Sequence, residues 1–293
     1  MWTTIARQIS ATTGKPFTAR GQRSVGGGCI NATAALEDDG RKYFVKYNDA
    51  SKLDMFKAEA TGLQELAKAQ AVRVPEPICW GIAESRAYIV LEYLQLGKTK
   101  DASAELLGRQ LARLHQVQAD YFGWHIDNTL GSTPQINTPA KDWVTFWQNQ
   151  RLGYQLALAA RNGYKGRLQR KGERLLAATP AFFRDYQPQP ALLHGDLWSG
   201  NYAADTEGRP VIFDPAVYYG DRETDLAMTE LFGGFSPRFY SAYQESFPLD
   251  QGYAIRKTFY NLYHVLNHVN LFGGGYAAEA EQMMDRLLSE IQA

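Results

Sequence analysis

The stretch ALLHGDLWSGN at 191–201, followed by VIFD at 211–214, constrains this chain more than any other. It sets Asp196 five residues before Asn201 and ends a short apolar run, which reads as a strand, on a second carboxylate, Asp214. Hard oxygen donors of this kind suit a divalent cation such as magnesium. The H-x-D-x-x-x-x-N pattern is that of kinases, in which a carboxylate orients the attacking hydroxyl and accepts its proton while magnesium neutralises the phosphates of ATP. On this reading Asp196 is the catalytic base, and Asn201 and Asp214 hold the metal. A lone H-G-D is more often a structural turn, because Gly and Asp favour turns; the added Asn and second Asp carry the chemistry.

That chemistry asks for a nucleotide site upstream, and the pattern there fits. After a short helix, about Thr3 to Thr13 and stopped by Gly14, come two β-rich runs at Phe17–Ser24 and Cys29–Leu36, joined by Gly26, Gly27 and Gly28. Asp38-Asp39-Gly40 signals a hairpin, and RKYFVKY then alternates as a half-buried strand does, with Lys46 near its end. From Ser51, which can cap a helix, Leu53, Phe56, Ala60, Leu63 and Ala67 recur at helical spacing on a segment that carries Glu59. VPEP at 74–77 breaks it, and ICWGIAE and AYIVLEYL read as two more strands around a turn at Glu84 to Arg86.

A strand lysine is by default a solvated charge. Followed 13 residues later by Glu59 on a helix, Lys46 instead fits the lysine that contacts the α and β phosphates and is held by a carboxylate. The glycines at 26–28 let backbone N–H groups approach phosphates, although glycines also serve ordinary hairpins. G-x-x-x-x-G-K-[ST] is absent, and flanking strands exclude a dinucleotide fold's strand-to-helix turn. From its place in the order, LEYL forms the hinge, so that Glu92 and Leu94 meet the adenine.

Past Gly97 the chain reads as helical: Leu107, Leu111 and Leu114 share a face, then come Trp143–Ala160, Lys165–Ala178 and two helices beyond Tyr253. His125 to Lys141 reads as a long loop, of the kind that is often functional. Arg222 and Asp225 read as a pair that fixes the loop at a helix start. His264 and His268 are four apart, a spacing that can serve a metal, but no third ligand is evident, which leaves packing or substrate contact.

The expected fold is therefore α+β and two-lobed: residues 1–95 form a nucleotide-binding lobe of five antiparallel strands and one main helix, and 96–293 a mostly helical lobe with the catalytic loop and substrate site. Lys plus Arg and Asp plus Glu number 31 each, so the chain lacks the basic field that draws nucleic acid or anionic membranes. No stretch reads as a signal peptide or membrane span, and the two cysteines, Cys29 and Cys79, suggest a reducing compartment, by default the cytoplasm. Cys29 in the glycine loop reads either as an inert small residue or as an oxidisable thiol that blocks ATP binding.

The stretches GGGCI, FVK, LLHGDLWSGN, DPAVYYGDRETDLAM, FGGF and LYHVLNHVNLFG resemble the fructosamine or ketosamine kinases, within the group that holds aminoglycoside phosphotransferases and choline kinases. The resemblance spans nearly the whole chain. It implies a protein-kinase-like fold and phosphorylation of the O3 hydroxyl of ketosamines, free or on a glycated lysine, which frees the amine and so repairs glycation. It also implies that Trp198 faces the substrate, where an indole can pack on a sugar face or a lysine stem, and His268 is a further candidate for substrate contact; the expected state is a monomer or weak homodimer. Asp214-Pro215-Ala216 departs from the Asp-Phe-Gly of protein kinases, which implies no activation-loop control. A choline or aminoglycoside kinase shares the catalytic pieces, and a nucleotide-binding pseudokinase scaffold is the alternative from another class.

Overall fold

The structure, a computed structural model, describes residues 1–26 and 30–291. Helix α1 (Trp2–Thr13) turns Ile5, Ala6 and Ile9 inward and stops at Gly14, whose φ of 68° is the left-handed geometry glycine adopts without strain. Five strands follow in an antiparallel sheet ordered β1-β2-β3-β5-β4: β1 (Gly21–Ser24), β2 (Ala32–Asp38), β3 (Arg41–Asp49), β4 (Pro77–Ala83) and β5 (Arg86–Glu92). In RKYFVKY the consecutive Tyr43, Phe44 and Val45 interrupt the alternation, because both faces of the sheet are covered. Val45, Leu36, Tyr88 and Val90 pack with Ile5 and Ile9 of α1. Phe44, Ile89 and Leu91 point the other way, into a core shared with Phe56, Leu63 and Leu66 of α2 (Leu53–Lys68).

Two local expectations change. The run from Phe17 does not pair as a strand until Gly21; Phe17 is buried beneath α1 with its ring 5.1 Å from that of Tyr43, so its apolarity serves packing rather than pairing. Ser51 does not cap α2. A 3-10 turn (Ala50–Lys52) precedes the helix, and the Asp49 carboxylate accepts from the Ser51 N–H at 3.0 Å.

Beyond β5, β6 (Leu96–Gly97) pairs with a strand of the second lobe. Helix α3 (Asp101–Leu114) begins the helical part. The stretch read as a loop contains a hairpin, β7 (Asn128–Leu130) and β8 (Thr133–Gln135). The helix read across Trp143–Ala160 is α4 (Trp143–Phe146), a π-turn (Trp147–Leu152) and α5 (Gly153–Arg161). An added Cβ at Gly153 would stand 2.2 Å from the Gln148 carbonyl oxygen, so the bulge needs glycine. The remainder runs α6 (Arg167–Ala178), β9 (Ala191–Leu193), β10 (Tyr202–Asp205), β11 (Pro210–Ile212), β12 (Tyr218–Gly220), α7 (Glu223–Leu231), α8 (Pro237–Ser246), α9 (Tyr253–Phe272) and α10 (Tyr276–Glu290). Strands β9 and β12 pair antiparallel, which brings the segments carrying Asp196 and Asp214 together. Among the described residues no helix is long and apolar enough to cross a membrane.

Candidate active site

The loop that carries Asp196 leaves β9 under tight control. Gly195 has φ 83°, and a Cβ there would lie 2.1 Å from the Ala216 carbonyl oxygen, so only glycine fits between the two segments. The fully buried Asp225 carboxylate accepts from the backbone N–H of His194 at 2.7 Å and of Gly195 at 2.8 Å. It also accepts from His115 Nε2 at 3.2 Å, while His115 Nδ1 meets the Tyr243 hydroxyl at 2.8 Å. Burial alone would raise the Asp225 carboxyl, but the hydrogen bond and charge of His115, helped by His194 and the Gly195 N–H, hold it below the usual range. His194 donates from Nε2 to the Phe213 carbonyl at 3.0 Å and accepts at Nδ1 from the Asp196 N–H at 3.2 Å. Both bonds require one neutral tautomer, and burial, which lowers its pKa, favours that form.

Asp196 emerges from this loop half-buried. Burial first, then the charges of Asp214 and Asp225, push its carboxyl up to about 7, opposed by the hydrogen bond from Asn201. Asn201 Nδ2 donates to the Asp196 carbonyl at 2.8 Å and to its Oδ2 at 3.3 Å, which leaves Oδ1 as the unbonded end of the amide among the described residues. Asp214 adopts φ 59°, an uncommon left-handed geometry that Asp tolerates better than most residues, and its side chain is 43% exposed.

Lys46, 5% exposed, joins the lobes: its Nζ lies 2.6 Å from Glu59 Oε1 and 2.5 Å from Asp214 Oδ1. Burial would lower its pKa, but the two carboxylates outweigh burial and raise it, so the ammonium stays charged. Helix α2 is itself fixed to the second lobe. A Cβ on Gly62 would come 3.1 Å from Val217 Cγ2, and the Tyr219 hydroxyl donates to Glu65 Oε1 at 2.9 Å.

The β7–β8 hairpin holds the same segment from the opposite side through buried amides. Gln135 Nε2 donates to the Ala216 carbonyl at 3.1 Å and Asn128 Nδ2 to the Val217 carbonyl at 2.8 Å. Behind them Arg151, buried on the π-turn, donates to Asn137 Oδ1 at 2.7 Å and lies 4.1 Å from the centre of the Tyr218 ring. On the open side Trp198, 38% exposed, folds over Gly200, where a Cβ would stand 2.3 Å from its ring. Its ring centre is 6.3 Å from that of Phe232, which in turn is 4.9 Å from His268.

The sequence profile of the fructosamine kinases matches residues 1–290. The chain belongs to that family. It is 51% identical to a probable ketoamine kinase of Synechocystis, over 98% of this chain and 97% of the relative. It is 41% identical to a protein named protein-ribulosamine 3-kinase, chloroplastic, of Oryza sativa, over 98% of this chain and 84% of the relative. A crystal structure described as a candidate fructosamine-3-kinase of Haemophilus somnus superposes with TM-score 0.91 at 29% identity, covering 98% of both chains. The fold alone is shared with an aminoglycoside phosphotransferase solved with ADP and hygromycin B, at TM-score 0.64 and 16% identity over 98% of both chains. The α+β, protein-kinase-like architecture expected from the sequence is thus the observed one.

In this fructosamine kinase family member, Lys46, Glu59, Asp196, Asn201 and Asp214 converge, and Trp198 and His268 join through Phe232. Gly26 lies on an open stretch, with nothing within 4 Å of an added Cβ; Gly27, Gly28 and Cys29 lie outside the described residues. The Glu92 carboxylate accepts from Arg73 at 2.7 Å, and its N–H donates to the Glu76 carbonyl at 2.8 Å. Arg73 also donates to Asp205 Oδ2 of β10 at 3.0 Å, and its carbonyl accepts from the Ile212 N–H of β11. Arg222 donates to the carbonyls of Phe247 and Pro248 and has no part in the cleft. Among the described residues no cluster of three metal-type ligands includes His264 and His268; burial, with the charge of His268, pushes His264 down to about 3. Sequence reasoning missed Phe232 and Arg73; the first opens FGGF, one of the stretches that carry the resemblance, whereas Arg73 carried no signal.

Proposed function

We propose that this chain is an ATP- and magnesium-dependent kinase that phosphorylates the O3 hydroxyl of ketosamines such as fructosamine or ribulosamine, and so serves deglycation. The observation that carries the reading is the convergence of Lys46, Glu59, Asp214 and the Asp196–Asn201 loop from four separate segments. The site fits a hard cation: Asp214 is open to the cleft, and Asn201 turns its Nδ2 inward, so that Oδ1 is the available donor. When bound there, magnesium supplies charge neutralisation at the phosphates.

The chain's own groups divide the remaining work. Lys46, charged and anchored by Glu59, orients the α and β phosphates and thereby exchanges its contact with Asp214 for phosphate oxygens. Asp196 accepts the proton of the sugar hydroxyl and aims its oxygen at the γ phosphorus. Trp198 and His268 line the acceptor side. The small number of cysteines and the buried thiol of Cys79 favour a reducing compartment such as the cytoplasm.

Assay of fructosyl-lysine, ribulosyl-lysine, choline and kanamycin tests the reading. Ketosamine turnover should require ATP, stop with EDTA and return with added magnesium. Turnover of choline or kanamycin alone overturns the substrate assignment, and binding of nucleotide without any turnover favours a scaffold. Arg73→Ala, which frees the hinge from β10, is expected to raise the ATP KM about fivefold, near the 1 kcal/mol of a partly exposed ion pair, with the acceptor KM nearly unchanged. Steady-state kinetics with each substrate varied check this.

A further inference from the structure

We propose that Phe272 and Tyr276 extend the acceptor site into a subsite for the amine side of the substrate, and that they select ketosamines whose nitrogen carries a long apolar stem, as a lysine side chain does. The proposal rests on the kinase reading above and adds a specificity to it.

The argument starts from a row of rings that packing alone does not account for. His268 has ring neighbours at 4.9 Å (Phe232), 5.4 Å (Phe272) and 5.0 Å (Tyr276), and Phe232 leads back to Trp198 beside the catalytic loop. Two routes build this row. His268 and Phe272 are four apart on the last turns of α9 and so share a face. Gly273 and Gly274, at φ 67° and 63°, then reverse the chain so that Tyr276, the first residue of α10, returns to the same histidine. Phe272 is nonetheless 58% exposed, the most open of the large apolar side chains among the described residues. A phenylalanine left this open forgoes apolar burial that a ligand's methylenes can recover.

Polarity points to the same occupant. His268 Nδ1 lies 2.8 Å from the His264 carbonyl, which can only accept, so Nδ1 carries a proton and Nε2 is the nitrogen left to accept when the ring holds one proton. A ketosamine differs from a plain sugar in its secondary ammonium, a donor and a cation, and aromatic faces attract such a cation. With the sugar hydroxyl at Asp196 and the ring beside Trp198, the nitrogen falls along the row at His268, and the stem beyond it runs over Phe272 and Tyr276.

The test compares two acceptors that share one sugar: fructosyl-methylamine, and fructosyl-lysine with its α-amino and carboxyl groups capped. Phe272→Ala should lower kcat/KM for the capped lysine compound about tenfold, almost wholly through KM, because uniform binding is lost and the chemical step is not. The methylamine compound should change less than twofold, and Phe272→Leu should recover most of the loss. Because Phe272 is exposed, the variant should melt as the parent does. Equal loss on both acceptors, or none on either, overturns the subsite while leaving ketosamine turnover intact. Absence of turnover of both by the unmodified protein overturns the functional reading itself, and this one with it.

Discussion

Replacing Asp196 by Asn is expected to lower kcat for a ketosamine about 10²–10⁴-fold while nucleotide still binds, because the side chain that accepts the hydroxyl proton loses its basicity and keeps its shape. The surroundings support so selective an effect. The loop is set by backbone bonds to Asp225 and by His194, neither of which involves the Asp196 carboxylate, so the loop should keep its course. Lys46 and Glu59 remain paired in the other lobe. Rapid-quench turnover together with calorimetric titration of ATP and magnesium separates the two quantities. A variant within tenfold of the parent in kcat would show that Asp196 is not the base.

Asp225→Ala is expected to cost about 3–5 kcal/mol of folding stability, the range for removing one partner from a buried charged network. Two backbone N–H groups and His115 would lose their shared acceptor inside the protein. The sign of the pH effect follows from the direction of the shift. The carboxyl sits lower in the folded protein than its unfolded value near about 4, so its contribution is complete above that value and declines as pH falls through the folded pKa. At neutral pH the full loss should therefore appear in urea unfolding, and kcat should fall with it because the catalytic loop is no longer anchored. Unfolding curves that coincide with the parent's would overturn the anchoring role.

What the sequence disclosed follows the strength of local patterning. In RKYFVKY the strand period of two sends Phe44 and Val45 to cores on opposite faces, and that same period places Lys46 on the face of α2, where Glu59 waits. The catalytic segment was legible because three oxygen-bearing side chains occur at fixed short spacings. The β7–β8 hairpin was not, since Asn128, Gln135 and Asn137 look like loop residues and only the fold turns their amides inward to meet Ala216 and Val217. The 3-10 turn before α2 moved the cap from Ser51 to Asp49, a shift that periodicity cannot register. Helix α8 escaped notice because a Ser-Pro start, with Ser236 accepting from the Arg238 N–H, also reads as a turn. The aromatic row joins residues 198, 232, 268, 272 and 276, and contacts across such separations are tertiary facts.

The close fit of Gly62 against Val217, with Tyr219 bonded to Glu65, makes the position of α2 a product of folding itself. The lysine–glutamate pair therefore comes ready-made with each newly folded copy, so an arriving nucleotide meets an arm that is already set.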